Sequence, residues 1–323
     1  MTEPDSTFAN AAELLGRITE QLGTQLGHLR PYGHRPRKQE QEVTPPMNIT
    51  GRAAPAPTEP APGGIAPPRP ALAGTAPTAP TLVAVGHGSR DPRARATLNR
   101  LLDRVRELRP GLDVRLAHIE LNTPLLDTTL AGLAAEGRDA VLVPLLFAPG
   151  HHVTHDLPAA LAAEPALRAR VAEPLGAHPL LVEALADRLA QAGWDTGDGT
   201  SAGTGVVLAS AGSRDPRSGA EIRRIAALLG ERLGGVPVVP AYTSAAAPTV
   251  PEAVRALAAR GRHRVAVASC FTAPGLFATR AAAHAPWIAA APLGAHPALA
   301  RLVLHRYDGA LRATTREREL ATV

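Results

Sequence analysis

From Thr81 onward, short aliphatic runs alternate with amphipathic stretches at close intervals. Runs of this kind bounded by turn residues read as buried strands, and the 3.6-residue pattern between them reads as helices. The order is a strand at Leu82–Val85, a helix at about Arg93–Leu108, a strand at Val114–Ile119, a helix at Pro124–Glu136 and a strand at Ala140–Phe147. A short helix at Asp156–Ala163, a strand at Val171–Leu175 and a closing helix at Pro179–Ala192 complete the series. Asp91 before Pro92 is a start signal for the first helix, a capping carboxylate followed by the proline that a first turn tolerates. β/α units in series predict an α/β fold, a parallel sheet with helices on both faces. Ligands of such sheets bind beyond the carboxyl ends of the strands.

Residues 1–80 carry a different pattern. Phe8–Leu29 places Leu14, Leu15, Ile18, Leu22 and Leu26 near one helical face, and a basic patch, Arg30–Lys38, follows. Thr44–Pro80 is rich in Pro, Ala, Gly and Thr, with almost no branched aliphatics to offset its chain entropy. The expectation is a disordered extension over 1–80 with a short helix at 8–29, either a dispensable tail or a partner-docking segment.

The series is written twice. After a Gly/Thr/Ser-rich joint at Asp195–Gly205, Gly88-Ser-Arg-Asp-Pro-Arg93 returns as Gly212-Ser-Arg-Asp-Pro-Arg217. Ala148-Pro-Gly150 returns as Ala273-Pro-Gly275, and Pro174-Leu-Gly-Ala-His-Pro179 returns unchanged as Pro292-Leu-Gly-Ala-His-Pro297. The offsets agree to within a loop, so one domain has been duplicated. Two lobes are expected, 81–195 and 205–315, facing each other about a pseudo-two-fold with strand ends lining a shared cleft.

The copies differ at polar positions. His87 is matched by Ala211, Glu120 by Ser244, and His151-His152 by Leu276-Phe277, whereas Arg90, Asp91, Arg93 and His178 have identical partners. Positions shared by both copies are candidates for architecture, and a turn or cap role is expected for His178 and His296. Positions confined to the first copy are candidates for chemistry. His87, Glu120 and His152 each follow a different strand, so two imidazoles and a carboxylate are expected to converge. Such a set suits a divalent ion held by few protein ligands, and it equally suits proton abstraction near neutral pH. His151 and His155 flank His152 in the same stretch and are expected in supporting or neutral roles.

Composition narrows the classes. The chain has 323 residues, 45% hydrophobic but only 3% aromatic, so its cores must be built from small and aliphatic side chains. The formal charge of +5 rests on arginine, which favours bidentate contacts to carboxylates. Without an aromatic-interleaved basic tract, nucleic acid is not an expected partner. One cysteine, Cys270, excludes an intrachain disulfide framework and any CxxC site. No apolar run reaches the length of a membrane span, and the acidic N-terminus is unlike a secretory signal, so a cytoplasmic protein is expected. There is no GxxxxGK phosphate loop, HExxH zinc helix, GxGxxG fingerprint or GxSxG elbow.

Three stretches, Val85-Gly-His-Gly-Ser-Arg90, Glu120-Leu-Asn-Thr-Pro124 and Pro144-Leu-Leu-Phe-Ala-Pro-Gly-His-His-Val-Thr-His-Asp-Leu-Pro158, resemble the type II tetrapyrrole chelatases, the sirohydrochlorin chelatase and anaerobic cobaltochelatase family. The likeness spans about residues 81–315. It implies two flavodoxin-like lobes enclosing a macrocycle, here in the long, internally duplicated form, with one active site per chain. It further implies His87 as proton acceptor and metal ligand, His152 as second metal ligand, and Glu120 as a substrate contact that helps accept protons. Phe147, Ala148, Pro149, Gly150 and His151 would lie against the macrocycle, and Arg90 would meet carboxylates on its rim. The implied activity is a lyase-type insertion of Fe²⁺ into sirohydrochlorin to give sirohaem. The alternatives are Co²⁺ insertion for cobalamin synthesis and a non-catalytic metal or tetrapyrrole carrier. No cofactor beyond the divalent metal substrate is expected, and a monomer with both lobes in one chain is the expected assembly.

Overall fold

The computed structural model describes residues 79–195, 197–198 and 202–321. The expected helix at 8–29 and the tract after it lie outside these residues. The first sheet contains β1 (Thr81–Gly86), β2 (Val114–His118), β3 (Ala140–Pro144) and β4 (Ala169–Val171), all parallel, in the order β2-β1-β3-β4. The second contains β5 (Thr204–Ser210), β6 (Val238–Tyr242), β7 (Arg264–Ser269) and β8 (Ile288–Ala289), in the matching order β6-β5-β7-β8. The fold is therefore α/β with two homologous lobes, as the pattern predicts. One strand is displaced: β4 is Ala169–Val171 rather than Val171–Leu175, because Leu175 already belongs to the turn leading into the next helix.

The helices of the first copy are α1 (Pro92–Leu108), α2 (Leu126–Ala135), α3 (Leu157–Ala162) and α4 (Pro179–Gln191). Those of the second are α5 (Pro216–Arg232), α6 (Val250–Ala258), α7 (Leu276–Ala282) and α8 (Pro297–Ala321). Asp91 and Asp215 cap α1 and α5 identically, each accepting from the backbone N–H two residues on at 2.9 Å. His178 and His296 cap α4 and α8, with Nδ1 accepting from Leu180 N at 3.1 Å and from Ala298 N at 3.2 Å.

Strand alternation sorts the core into layers. Val83, Val85 and Leu142 face outward to Leu126, Leu130, Leu133 and Leu157 of α2 and α3. Val207, Ala209 and Val267 do the same for α6 and α7. The inward residues of both sheets, Leu82, Ala84, Val141 and Val143 with Val206, Leu208, Ala266 and Ala268, belong to one continuous core.

The covering of those inner faces departs from the sequence expectation. The helix expected to close its own lobe, α4, packs on β7 and α5 of the second copy. Reciprocally, α8 packs on β3 and α1 of the first. The central helices thus neighbour one another in the order α1, α8, α4, α5. Amphipathicity tells a helix to bury a face but not which equivalent sheet to cover.

The repeated Pro-Leu-Gly-Ala-His-Pro motif explains how the exchange is fixed. Arg188 on α4 donates through Nε at 3.1 Å and Nη2 at 2.6 Å to the carbonyl of Leu293 in the second motif. Arg306 on α8 donates through Nη2 at 2.8 Å to the carbonyl of Leu175 in the first. Each motif's glycine sits beside the incoming guanidinium in the left-handed region, Gly176 at φ +59° and Gly294 at φ +60°. A Cβ at Gly176 would lie 2.9 Å from Glu221 Oε1, the carboxylate that accepts from Ala177 N at 2.5 Å. The motif is a latch, and both copies need it.

Two predictions follow from this packing. Residues 79–195 expressed alone should sediment as a dimer in which each copy's α4 covers its partner's sheet; a stably folded monomer would contradict the exchange. Burial also depresses the pKa of His118, His178 and His296. The unfolded chain, with histidines near pH 6.5, then binds protons that the folded one refuses. Stability present above about pH 6.5 should be lost as pH falls towards the depressed folded values. Thermal midpoints at pH 7.5 and 5.5 test this, and equal midpoints would contradict it.

Candidate active site

The site is built at the carboxyl ends of β1, β2 and β3. Beyond β1 the ladder continues, with Ile119 N donating to Gly86 O and Glu120 N to His87 O, both at 3.0 Å. That pairing sets the two side chains next to each other, His87 Nδ1 lying 3.4 Å from Glu120 Oε1. Both remain about half exposed, at 45% and 52% of the side chain. Gly88 is required here. At φ +111° a Cβ would lie 1.9 Å from the carbonyl oxygen of Glu120. Asn122 holds the same loop, its Oδ1 accepting from Ser89 N at 2.7 Å.

The third contribution arrives after β3. Leu145 N donates to Val85 O at 2.8 Å, and Phe147 and Ala148 rest on the central core. Gly150 then starts a helical segment, its carbonyl accepting from Thr154 N and Thr154 Oγ1, both at 3.0 Å. His152–Asp156 is a π-helical turn running into α3. The histidines therefore stand on helix, where the sequence suggested a loop with a helix starting at Asp156. Histidine and β-branched residues are weak helix formers, and the widened turn lies outside the 3.6-residue pattern.

The His152 ring lies edge-on to that of His87, with centroids 4.7 Å apart. Its Nδ1 is 2.6 Å from Asp156 Oδ2. His151 is more exposed, with Nε2 3.5 Å from Asp156 Oδ1, and its ring stacks on His155 at 4.7 Å. His155 Nδ1 in turn lies 2.8 Å from Thr154 Oγ1. Thus His87, Glu120 and His152 come together through contacts that share His87. Among the described residues, no group of three or more His, Cys, Asp or Glu side chains already stands as a metal cage. Arg90 is exposed just before α1, whereas Arg93 is held by Asp91 at 2.7 Å, an arrangement repeated by Arg217 and Asp215.

The second lobe borders this site. Ser213 Oγ lies 3.6 Å from the position a Cβ would take on Gly150, and Ser89 Oγ lies 3.3 Å from that of Gly275. The two loops thus meet across the pseudo-two-fold. In the second copy Ala211, Ser244, Leu276 and Phe277 stand at the matching places. There Ser244 Oγ donates to Ala211 O at 3.0 Å, and Leu276 and Phe277 are exposed.

Two residues escaped the sequence reading, Asn122 and Asp156. Both were findable by the comparison that picked out the histidines, since the second copy has Ala246 in place of Asn122 and no carboxylate between Leu276 and Ala282. The four-residue step from His152 to Asp156 was a second signal.

Two homologous α/β lobes, with His87, Glu120 and His152 at the strand ends of the first and Ala211, Ser244 and Phe277 at those of the second, define the class. The CbiX family model matches residues 81–192 and 205–310, and the chain belongs to the CbiX family. It is 26% identical over 206 residues to a sirohydrochlorin cobaltochelatase of Priestia megaterium, covering 61% of this chain and 65% of that protein. It is 26% identical over 176 residues to a sirohydrochlorin ferrochelatase of Bacillus subtilis, covering 53% and 66%. The chain thus spans slightly under two thirds of those relatives. A sirohydrochlorin cobaltochelatase of Methanopyrus kandleri is 30% identical over 136 residues, 34% of this chain and 95% of that one. The fold is similar to SirB from Bacillus subtilis with Fe³⁺, with TM-score 0.57 and 23% identity over 71% of this chain and 94% of that one. It is also similar to the structure of CbiX described as the terminal enzyme for biosynthesis of siroheme in denitrifying bacteria, with TM-score 0.52 and 24% identity over 71% and 98%. Among the described residues, no helix is long and apolar enough to cross a membrane.

The close approach at Gly88 is directly testable. Gly88→Ala should lower stability by at least about 1–3 kcal/mol, the scale of a strained backbone position. Gly212→Ala should do the same, because its Cβ would meet Ser244 O at 1.9 Å. Denaturant midpoints unchanged in both variants would contradict the geometry.

Proposed function

We propose that the chain is a sirohydrochlorin chelatase that inserts Fe²⁺ to form sirohaem, a lyase-type reaction needing no cofactor beyond the metal substrate. The observation that carries this reading is the convergence of His87, Glu120 and His152 at strand ends of the first copy alone. The CbiX match over both copies supports it. A second reading, Co²⁺ insertion, is favoured by the cobaltochelatase names of the Priestia and Methanopyrus relatives. Imidazole and carboxylate serve both borderline ions. We place the protein in the cytoplasm as a monomer, with one site per chain.

Insertion forms bonds from the metal to the ring nitrogens and releases two pyrrolic protons. In this reading, His87 and His152 hold the incoming ion by imidazole lone pairs while the macrocycle is bound. As ring nitrogens replace them, His87 accepts one proton on the imidazole lone pair so released. Glu120, 3.4 Å from His87, takes up the second or relays it to solvent, to which both side chains are open. Phe147, Ala148, Pro149, Gly150 and His151 lie against the macrocycle, and Arg90 meets the carboxylates of its rim.

Anaerobic mixing of the purified protein with sirohydrochlorin and Fe²⁺ or Co²⁺, followed by absorption, tests the reading. The metal should enter faster than in buffer. His87→Ala should lower the rate about 10²- to 10⁴-fold, the usual loss for a general base, and Ala211→His should leave it unchanged. Stoichiometric binding without turnover would favour a carrier, and no acceleration with either metal would refute the enzyme reading.

A further inference from the structure

We propose that Asp156 is a positioning residue that holds His152 as the Nδ1–H tautomer and so leaves its Nε2 lone pair free to bind. The His152 Nδ1 to Asp156 Oδ2 distance is 2.6 Å, a close hydrogen-bond contact, and bonds to an ionised partner are the short ones. An ionised carboxylate can only accept, so the proton of that bond sits on Nδ1. Imidazoles that bind metals through one nitrogen are commonly fixed in this way through the other.

The local backbone is shaped to make the contact. In the π-helical turn Leu157 N donates to the carbonyl of His152, five residues back, instead of Val153. The wider turn sets Asp156 beside His152, and its second oxygen, Oδ1, stands 3.5 Å from His151 Nε2. One carboxylate thus faces both histidines, at hydrogen-bond distance only to His152. In the second copy Phe277 replaces His152, and α7 runs there as ordinary α-helix, without the extra residue and with no carboxylate between Leu276 and Ala282. Carboxylate and imidazole are present together or absent together. Asp156 is partly exposed, its side chain being 37% accessible.

The test reads the tautomer directly, so it does not depend on turnover. In the ¹⁵N-labelled full chain, long-range ¹H–¹⁵N correlation spectra should show His152 protonated at Nδ1, assigned by the signals lost in His152→Gln. Asp156→Asn, whose amide oxygen still accepts, should keep that pattern. Asp156→Ala, which removes the acceptor, should shift His152 to the Nε2–H form. If His152 is Nε2–H in the native chain, or stays Nδ1–H in Asp156→Ala, the proposal is overturned. A second arm rests on the metal-handling reading of the site. Titrated with Co²⁺ alone, Asp156→Ala should bind about 10- to 100-fold more weakly, and Asp156→Asn should fall between it and the native chain. In the insertion assay kcat should drop with KM for the macrocycle unchanged. A tautomer switch without loss of Co²⁺ affinity would uphold the positioning role and refute the metal site.

Discussion

Everything in this structure depends on each sheet's inner face being covered by the other copy's last helix. A parallel sheet has two apolar faces, and leaving one open would expose Leu82, Val141 and Val143 in one lobe and Val206 and Leu208 in the other. Burying each such side chain contributes about 1.5–3 kcal/mol relative to exposure. The reciprocal placement of α4 and α8 merges two half-cores into one. Arg188 and Arg306 then lock the register by donating to Leu293 and Leu175. Burial disfavours both guanidinium charges and lowers their pKa, yet arginine stays charged, and a fixed carbonyl acceptor offsets part of that desolvation.

This frame lets strand-end side chains differ between the copies where the architecture does not. The caps at Asp91 and Asp215, the close approaches at Gly88 and Gly212 and the latch glycines recur in both copies because the backbone needs them twice. The strand-end side chains carry no such duty. Replacing His87, Glu120 and His152 with Ala211, Ser244 and Phe277 leaves the second turn and ladder intact, as its Ser244 N to Ala211 O bond of 2.9 Å shows. The second lobe still matters to the site, since its Ser213 abuts the loop that delivers the histidines.

The site combines a rigid base with open side chains. His87 and Glu120 are fixed through paired backbone, and His152 through a side-chain bond to Asp156. All of them remain partly accessible to solvent.

Local chemistry and the duplication determined much of this from sequence. Uniform apolar runs announced buried parallel strands, Asp91-Pro92 announced a helix start, and the mismatch between copies separated His87, Glu120 and His152 from the shared histidines. These are legible because each follows from neighbours in the chain or from comparison of equivalent positions. The partner of each closing helix was not legible. Two homologous sheets offer α4 nearly equivalent surfaces, and only the packed whole, with Arg188 reaching Leu293, selects the second. The π-turn under His152 was hidden for a related reason. The break at Pro149-Gly150 suggested a loop, and the segment is helical because Gly150, Thr154 and α3 hold it so within the assembled lobe.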